Sequence, residues 1–218
     1  MEPLIPNPFL FKLEFELHYF AKRPPLNGTV DRWPKAALLE PFGMMDGYEP
    51  FADVYAGWSE EGLFIGVSLG GKATDVVCDP RQYWKADNIR VMTDTRDSRN
   101  VRRATRFCQQ FYFLPTGGGE DGDDPIAGTA KVRRATEDAP VANVEDLTVA
   151  ANLDDEGYQL TTCIPATALF GFDPVENPRI GLFVIVEDLE IGQQPLTVGD
   201  ELNWHIDPST WPTAVLKK

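Results

Sequence analysis

The 218-residue sequence predicts an all-β fold, an antiparallel two-sheet β-sandwich with little helix, from three observations. Most apolar segments alternate apolar and polar residues with a period of two, whereas a surface helix repeats every 3.6 residues. Short polar turns separate these segments at regular spacing. Sandwiches of roughly 200 to 250 residues often form around one core, so we expect a single domain over residues 1–218.

Residues 9–19 show the clearest alternation. Phe15, Leu17 and Tyr19 are separated by Glu16 and His18. Successive strand side chains point to opposite faces, so we expect one buried and one wet face. The other strand candidates are residues 53–58, 63–69, 88–94, 107–114, 127–133, 147–153, 158–164 and 179–186.

Turn signals connect these candidates. Residues 59–62 (SEEG) and 154–157 (DDEG) each join two apolar segments through four residues, which predicts two hairpins. Residues 117–124 are rich in glycine and aspartate and predict an exposed loop. Helix is expected only as a turn over residues 166–170, because Pro165 has the backbone angle of a helix start.

The composition excludes several classes of function. A net charge of −14 repels phosphate backbones, so we expect no nucleic-acid partner. The sequence has no apolar stretch long enough for a membrane span. The N-terminus lacks the pattern of a signal peptide, which predicts either a cytoplasmic chain or a secreted chain whose leader was removed. The three cysteines form no paired motif, so each is read as a buried apolar residue or a free thiol.

Catalytic signatures are lacking in the sequence, so we expect that the protein is not an enzyme. His18 and His205 are its only histidines, and no nucleophile elbow, phosphate loop or dinucleotide fingerprint occurs. The 34 acidic residues include no distinctive pair for glycoside hydrolysis. Glu187 and Asp188 end an apolar strand, where carboxylates can hold a cation such as Ca²⁺; a solvated strand end is the alternative.

Aromatic residues carry the strongest functional signal. Trp84 lies in the polar stretch QYWKAD, just before a predicted strand. The C–H faces of sugars pack on flat aromatic rings, so a tryptophan in a polar loop suits carbohydrate binding. Trp58, at the end of an apolar strand, is predicted to lie in the core.

Alternation also predicts a cluster around Trp84. If Ile89 and Val91 point into the core, Arg90 must face the opposite side of its strand. Gln110 and Tyr112 on a neighbouring strand would then share that side. The sequence therefore predicts either a ligand site formed by Trp84, Arg90, Gln110 and Tyr112 or an ordinary solvated sheet face.

Several segments in order along the chain resemble carbohydrate-binding module family 9. They are LNGTVDRW at residues 26–33, VYAGW and LFIGV at 54–67, WKADNIRVMTD at 84–94, GY with IP and Leu169 at 157–169, IGLFVIVED at 180–188, and Trp204 with Trp211 and Leu216 in the tail. Each segment alone is a weak signal, and their order is specific for the fold.

The resemblance implies a jelly-roll-like sandwich with structural Ca²⁺ in some members. Sugar-binding members hold a terminal sugar between two tryptophans, which match Trp84 and Trp204 here. Asp87 would anchor a loop, and Asp94 would serve at a strand end or bind a cation. The candidate metal ligands are therefore Asp94, Glu187 and Asp188.

One position departs from the family pattern. Arg90 stands where the family has a glutamate, and the arginine and asparagine of the next strand fall near Tyr112 and Leu114. Arginine donates hydrogen bonds but accepts none, so it cannot replace the acceptor for a sugar hydroxyl. From this exchange we expect a different, acidic ligand.

Three functional hypotheses follow. The first is a non-catalytic domain that binds an oligo- or polysaccharide. The second is a structural or protein-partner-binding sandwich whose sugar site has decayed. The third is a haem-binding domain, because some similar sandwiches carry haem; its axial-ligand candidates are Met44, Met45, Met92, His18 and His205.

Overall fold

The computed structural model describes residues 13–218, so the start of the predicted strand at residues 9–12 lies outside the described residues. Over the described range all helices are short 3-10 turns, and none is long and apolar enough to cross a membrane. The strands are β1 (Glu14–Tyr19), β2 (Ala52–Ser59), β3 (Gly62–Leu69), β4 (Asn88–Asp94), β5 (Cys108–Gly118), β6 (Asp124–Ala130), β7 (Thr148–Asp154), β8 (Gly157–Pro165), β9 (Arg179–Asp188), β10 (Gly192–Pro195) and β11 (Thr213–Leu216). The 3-10 turns are Lys35–Ala37, Phe42–Asp46, Pro80–Lys85, Val144–Asp146, Asp200–Leu202 and Pro208–Thr210.

The strands form one hydrogen-bonded path in the order β6-β5-β4-β9-β11-β1-β2-β3-β8-β7, with β10 added beside β9. The end strands β6 and β7 contact each other, so the sheet is nearly closed. An all-β fold with little helix is therefore confirmed.

Strand β1 joins two halves of this path. Its first part, from Glu14 to Leu17, pairs in parallel with β11, and His18 and Tyr19 pair in parallel with β2. Among the described strands, the other pairings are antiparallel. The expectation of purely antiparallel pairing is corrected in β1, whose neighbours both run in its own direction. We call β6-β5-β4-β9-β11 with β10 the β4 half, and β2-β3-β8-β7 the β3 half.

Most predicted strands occur within a few residues of their expected bounds. Both predicted hairpins are confirmed, because Ser59 pairs with Gly62 and Asp154 pairs with Gly157. The segment after Pro165 forms hydrogen-bonded turns instead of a helix. Strands β10 and β11 were not predicted, since four-residue strands show too little alternation to be recognised.

One apolar core contains residues of both halves, because alternate side chains of the strands in each half are buried in it. Ile89, Val91, Phe111 and Phe113 come from the β4 half, and Trp58, as predicted, lies buried in the same core. The β3 half contributes Val54, Ala56, Leu63, Ile65, Val67, Leu69, Tyr158, Leu160 and Ile164. Removing this apolar surface from water contributes about 25 cal/mol per Å² to folding.

The β4 half also carries apolar residues on its outer face. Since Ile89 and Val91 point inward, Arg90 and Met92 point outward, as alternation predicted. Met92, Phe183 and Ile185 are covered from outside by Trp204 and Trp211, together with Ala104, Val132, Leu196 and Val198. We call this second apolar layer the outer cluster. It holds the loops that surround the candidate site.

Candidate ligand-binding site

Trp84 is the aromatic residue that the fold leaves open to solvent. It lies in the 3-10 turn Pro80–Lys85, which leads into β4. Asp79 begins this turn: its Oδ1 accepts a hydrogen bond from the backbone N–H of Arg81 at 2.8 Å, and Pro80 follows at the favoured first position. Trp84 is 50% exposed, whereas each of the other four tryptophans is at most 5% exposed. Its indole is thus available for stacking.

Tyr83 and Tyr112 fix the Trp84 loop on the outer face of the β4 half. The two tyrosine rings stack at a centroid distance of 4.0 Å with 7° between their planes. The Trp84 ring meets Tyr83 edge to face at 5.3 Å. Gln110 Nε2 donates a hydrogen bond to the Tyr83 hydroxyl at 3.0 Å. The structure therefore brings Trp84, Gln110 and Tyr112 together through Tyr83.

Tyr83 was not among the predicted site residues. Its position beside Trp84 was a visible signal, but alternation assigns no face to a loop residue. Burial, the largest cause, raises the pKa of the Tyr83 hydroxyl, and the positive charge of Arg90 acts in the opposite direction. The hydroxyl therefore remains a neutral partner for Gln110 at neutral pH.

Gly128 of β6 makes room for the Tyr112 ring. The two residues are register partners across β5 and β6. A Cβ atom added to Gly128 would lie 2.1 Å from Cζ of Tyr112, far inside van der Waals contact. A glycine is needed here because the tyrosine ring lies directly over the neighbouring backbone.

Arg90 forms an ion pair with Glu187 of β9 on the same outer face. Arg90 Nη2 donates to Glu187 Oε2, and Gln193 Nε2 donates to Glu187 Oε1 at 2.7 Å. The guanidinium also lies over the Trp204 ring, 4.6 Å from its centroid. Arg90 Nε is buried and has no hydrogen-bond partner among the described residues.

This pairing removes the physical basis for expecting an acidic ligand at Arg90. The expectation assumed an uncompensated guanidinium, and Glu187 already supplies its counter-charge. Glu187 also places a carboxylate acceptor beside Arg90. The acceptor that the family has at position 90 is thus replaced by one from the neighbouring strand. The two residues are 97 positions apart, so sequence spacing gave no sign of their contact.

Trp204 is buried and forms part of the outer cluster. It is 1% exposed, its ring stacks with Phe183 at 5.1 Å, and Arg90 covers it as described. Its Nε1 donates to Asp200 Oδ1 at 2.9 Å, and its carbonyl oxygen accepts from Trp211 Nε1 at 2.8 Å. Trp204 thus supports Arg90 from below and, unlike Trp84, has no open ring face in this structure.

The candidate metal ligands are engaged by other groups of the protein. Asp94 accepts backbone hydrogen bonds from Arg96 at 3.0 Å and Ser98 at 2.7 Å, and burial raises its pKa. Glu187 binds Arg90 and Gln193. Asp188 receives the Lys72 ammonium at 2.6 Å.

These residues do not fit a Ca²⁺ site as arranged. Within residues 13–218, no group of three or more histidine, cysteine, aspartate or glutamate side chains is placed to hold a metal ion. Asp87 instead anchors a loop, because its two oxygens accept from the backbone N–H groups of Val77 and Leu189 at 2.9 and 2.8 Å.

The haem-ligand candidates lie on separate elements. Met44 and Met45 are exposed in the turn Phe42–Asp46, and His18 of β1 packs edge-on against Phe20 at 4.9 Å. Met92 belongs to the outer cluster with Trp204, which His205 also contacts at 5.6 Å. The space around Trp204 is filled by packed rings and by Arg90, so it offers no slot for a macrocycle.

A cavity of about 490 Å³ lies away from Trp84, beside β2, β9 and β10. Its walls include Leu39, Phe51, Val54, Val184 and Leu196 but none of the predicted site residues. Its buried polar residue, Gln194, is satisfied by the backbone of residues 51 and 52 at 2.6 to 2.8 Å. The cavity therefore presents mainly apolar surface, in contrast to the polar and aromatic group around Trp84.

No protein-family sequence model and no curated protein sequence matches this chain. Solved structures do match it. A family 9 carbohydrate-binding module from Caldicellulosiruptor kristjanssonii in complex with cellotriose has a TM-score of 0.66 at 12% identity and covers 94% of this chain and 93% of that chain. The module in complex with glucose gives a TM-score of 0.65 at 12% identity, covering 94% and 95%.

A putative carbohydrate-binding protein from Bacteroides uniformis has a TM-score of 0.59 at 10% identity, covering 94% of this chain and 99% of that one. Identities this low show a shared fold rather than a shared ligand. The three matches extend over nearly the whole described chain, as the ordered sequence segments had indicated. The chain therefore has the fold of a family 9 carbohydrate-binding module.

Proposed function

We propose that this chain is a non-catalytic carbohydrate-binding domain in which the open face of Trp84 stacks on a sugar ring. The observation that carries the proposal is a half-exposed indole fixed by the stacked rings of Tyr83 and Tyr112. Structures of the same fold hold cellotriose and glucose, which supports the class of ligand.

We propose in addition that the two halves of the nearly closed sheet are the layers of a jelly-roll-like sandwich. Both halves contribute to one core, which supports this arrangement. The outer face of the β4 half then serves as the platform for the binding loop.

Polar groups near Trp84 suit the hydroxyls of a sugar, which both donate and accept hydrogen bonds. Glu187 offers carboxylate oxygens on this outer face, whereas the unpartnered Nε of Arg90 is closed to solvent. Both oxygens of Glu187 are already bound by Arg90 and Gln193. That engagement favours a role in binding over one in acid–base catalysis, for which a second, matched carboxylate is needed.

Fluorescence quenching tests the proposal sharply because Trp84 is the tryptophan open to solvent. Iodide should quench mainly Trp84 in the free protein, and bound cellotriose should protect it. Trp84→Ala should weaken binding on the order of tenfold or more, as expected for an exposed aromatic anchor. Trp84→Phe, which keeps a ring, should retain part of the affinity.

Val175→Ala is the matched control, because it truncates an exposed apolar side chain outside the site. Its affinity should equal that of the wild type. If folded wild-type protein shows no protection with glucose, cellotriose or a broader set of saccharides, the carbohydrate proposal is wrong. Turnover of chromogenic glycosides would contradict the claim that the domain is non-catalytic, but not the claim that it binds carbohydrate.

A second candidate function is a structural or partner-binding sandwich with a decayed sugar site. The burial of Trp204 beneath Arg90 favours it, because only one open tryptophan remains at this face. A protein partner whose affinity is unchanged by Trp84→Ala, together with no saccharide response, would support this second function.

A further inference from the structure

Positive charge is concentrated in two segments of this acidic protein. Residues 94–106 and 131–138 together carry eight basic and four acidic residues, in a chain with a net charge of −14. The rest of the chain is therefore strongly acidic. Such an asymmetry predicts a local site for anions.

The fold joins the two segments side by side. The Thr136 backbone N–H and Oγ1 both donate to the carbonyl oxygen of Ala104, at 2.8 and 2.9 Å. Ala104 and Val132 are buried in the outer cluster with Trp204. Because these two small apolar residues point inward, the arginines that flank them are directed to solvent.

Four of these arginines are exposed and lack a counter-ion. Arg102, Arg103, Arg133 and Arg134 form no ion pair with any of the residues from 13 to 218. Their neighbour Arg106, in contrast, pairs with Glu137 at 3.4 Å. We call the four unpaired residues the arginine surface.

The arginine surface lies on the same side of the sheet as Trp84. The ring of Tyr112 stacks on the ring of Tyr83, and Tyr112 is four residues along β5 from Cys108. Cys108 packs with Val132 in the outer cluster. Four strand residues span about 13 Å. The charges of Arg90, Arg133 and Arg134 all act on His205: burial lowers its pKa, the negative charge of Asp200 opposes this, and the three arginines lower the pKa further.

We propose that the ligand is an anionic glycan, whose ring stacks on Trp84 and whose carboxylate or sulfate groups bind the arginine surface. This inference rests on the proposed function and adds the charge class of the sugar. The planar guanidinium matches carboxylate and sulfate oxygens with two parallel hydrogen bonds.

The net negative charge does not oppose such a ligand. At physiological salt the Debye length is about 8 Å, so an oligosaccharide at the arginine surface is largely screened from distant carboxylates. A long, stiff nucleic acid would extend over the acidic remainder of the surface. We therefore favour the glycan over the nucleic acid.

Binding should be measured with matched pairs of probes that differ in charge. Oligogalacturonate and its methyl ester test the carboxylate, and dextran sulfate and dextran test the sulfate. At about 0.05 M salt we expect the charged member of at least one pair to bind tenfold tighter or more, and the difference to shrink at about 0.5 M salt.

Two double variants locate the effect. Arg102→Gln with Arg103→Gln, and Arg133→Gln with Arg134→Asn, should each weaken binding of the charged probe about 5- to 20-fold. Asparagine is chosen at position 134 because Arg134 has a φ of 58°, which asparagine tolerates. Arg32→Gln with Lys35→Gln removes two exposed charges near Trp33, which packs on the β3 half, and should change little.

The outcomes separate this inference from the proposed function. Equal affinity for charged and neutral probes, with binding still lost in Trp84→Ala, overturns the anionic class and leaves carbohydrate binding intact. No binding of any glycan by folded protein overturns both. A single-stranded oligonucleotide of equal charge that binds more tightly than every glycan overturns the choice of glycan.

Discussion

The ammonium group of Lys72 lies 2.6 Å from Asp188 Oδ2, and both side chains are at most 2% exposed. Asp87 Oδ2 lies 3.3 Å from the same nitrogen. Lys72 thus joins the segment after β3 to the start of β4 and the end of β9. Asp188 Oδ1 accepts from the backbone N–H groups of Glu190 and Ile191, both at 2.9 Å, so its negative charge is stabilised on two sides.

Replacing Lys72 should destabilise the fold, because the buried carboxylates of Asp87 and Asp188 would lose their positively charged partner. We expect Lys72→Met to lower the free energy of unfolding by about 3–5 kcal/mol, because it leaves buried charge without a partner. Urea unfolding followed by circular dichroism measures this. Lys217→Met, which breaks the exposed contact with Glu16 at 3.5 Å, is the matched control and should change little. Equal stability of the two variants would contradict the structural role of Lys72.

The same ion pair predicts a dependence on alkaline pH. Burial alone lowers the pKa of Lys72, but the hydrogen bond to Asp188 and the charge of Asp87 outweigh it and raise the pKa above 10.5. A raised lysine pKa means that the folded state holds the proton more tightly than the unfolded state. Its stabilisation is complete below about pH 10.4 and is lost as pH rises through the folded pKa. The stability difference between wild type and Lys72→Met should therefore shrink above that pH. A constant difference would argue against the pair.

Calcium should have little effect on the wild-type protein. Asp94, Glu187 and Asp188 bind backbone N–H groups, Arg90 and Lys72 instead of presenting free oxygens to a cation. We expect the same thermal midpoint with a chelator and with millimolar Ca²⁺. A midpoint that rises with Ca²⁺ concentration would reveal a site formed by other residues.

Gly128 should be needed for the Trp84 site. In Gly128→Ala the new Cβ would meet Cζ of Tyr112 at 2.1 Å, so the Tyr112 ring must move and the stacked Tyr83 with it. We expect a loss of about 1–3 kcal/mol of stability from overpacking and weaker sugar binding. Gly70→Ala, where a Cβ meets nothing within 4 Å, is the control. Unchanged binding in Gly128→Ala would show that the tyrosine stack does not position Trp84.

We expect Arg90 to contribute mainly to the stability of the fold and Trp84 mainly to saccharide binding. Arg90→Met leaves Glu187 buried with Gln193 as its remaining side-chain donor, so we expect a loss of about 3–5 kcal/mol. Trp84→Ala, at an exposed position, should change stability by about 0.5 kcal/mol or less while it reduces saccharide binding. Chemical unfolding of both variants checks this. A large loss of stability in Trp84→Ala would show that its ring supports the fold.

Sequence alternation predicts which residues share a face at the candidate site but not which residues pack against that face. Alternation placed Arg90, Gln110 and Tyr112 on one face, because the direction of a strand side chain depends only on its position along the strand. The same pattern said nothing about what covers that face. Glu187 reaches Arg90 from another strand, and Trp204 reaches it from a loop after a 3-10 turn, so both contacts depend on long-range packing.

The sequence by itself determined β1 to β9, both hairpins and the exposed position of a tryptophan in a polar loop, since each depends on neighbouring residues. Only the tertiary structure decided that Trp204 is buried, that Glu187 neutralises Arg90 and that Lys72 holds Asp188. It also decided that two arginine-bearing segments, about thirty residues apart, meet at Ala104 and Thr136. The physical reason is that ion pairs and packing join residues distant in sequence, whereas alternation and turn chemistry act within a few residues.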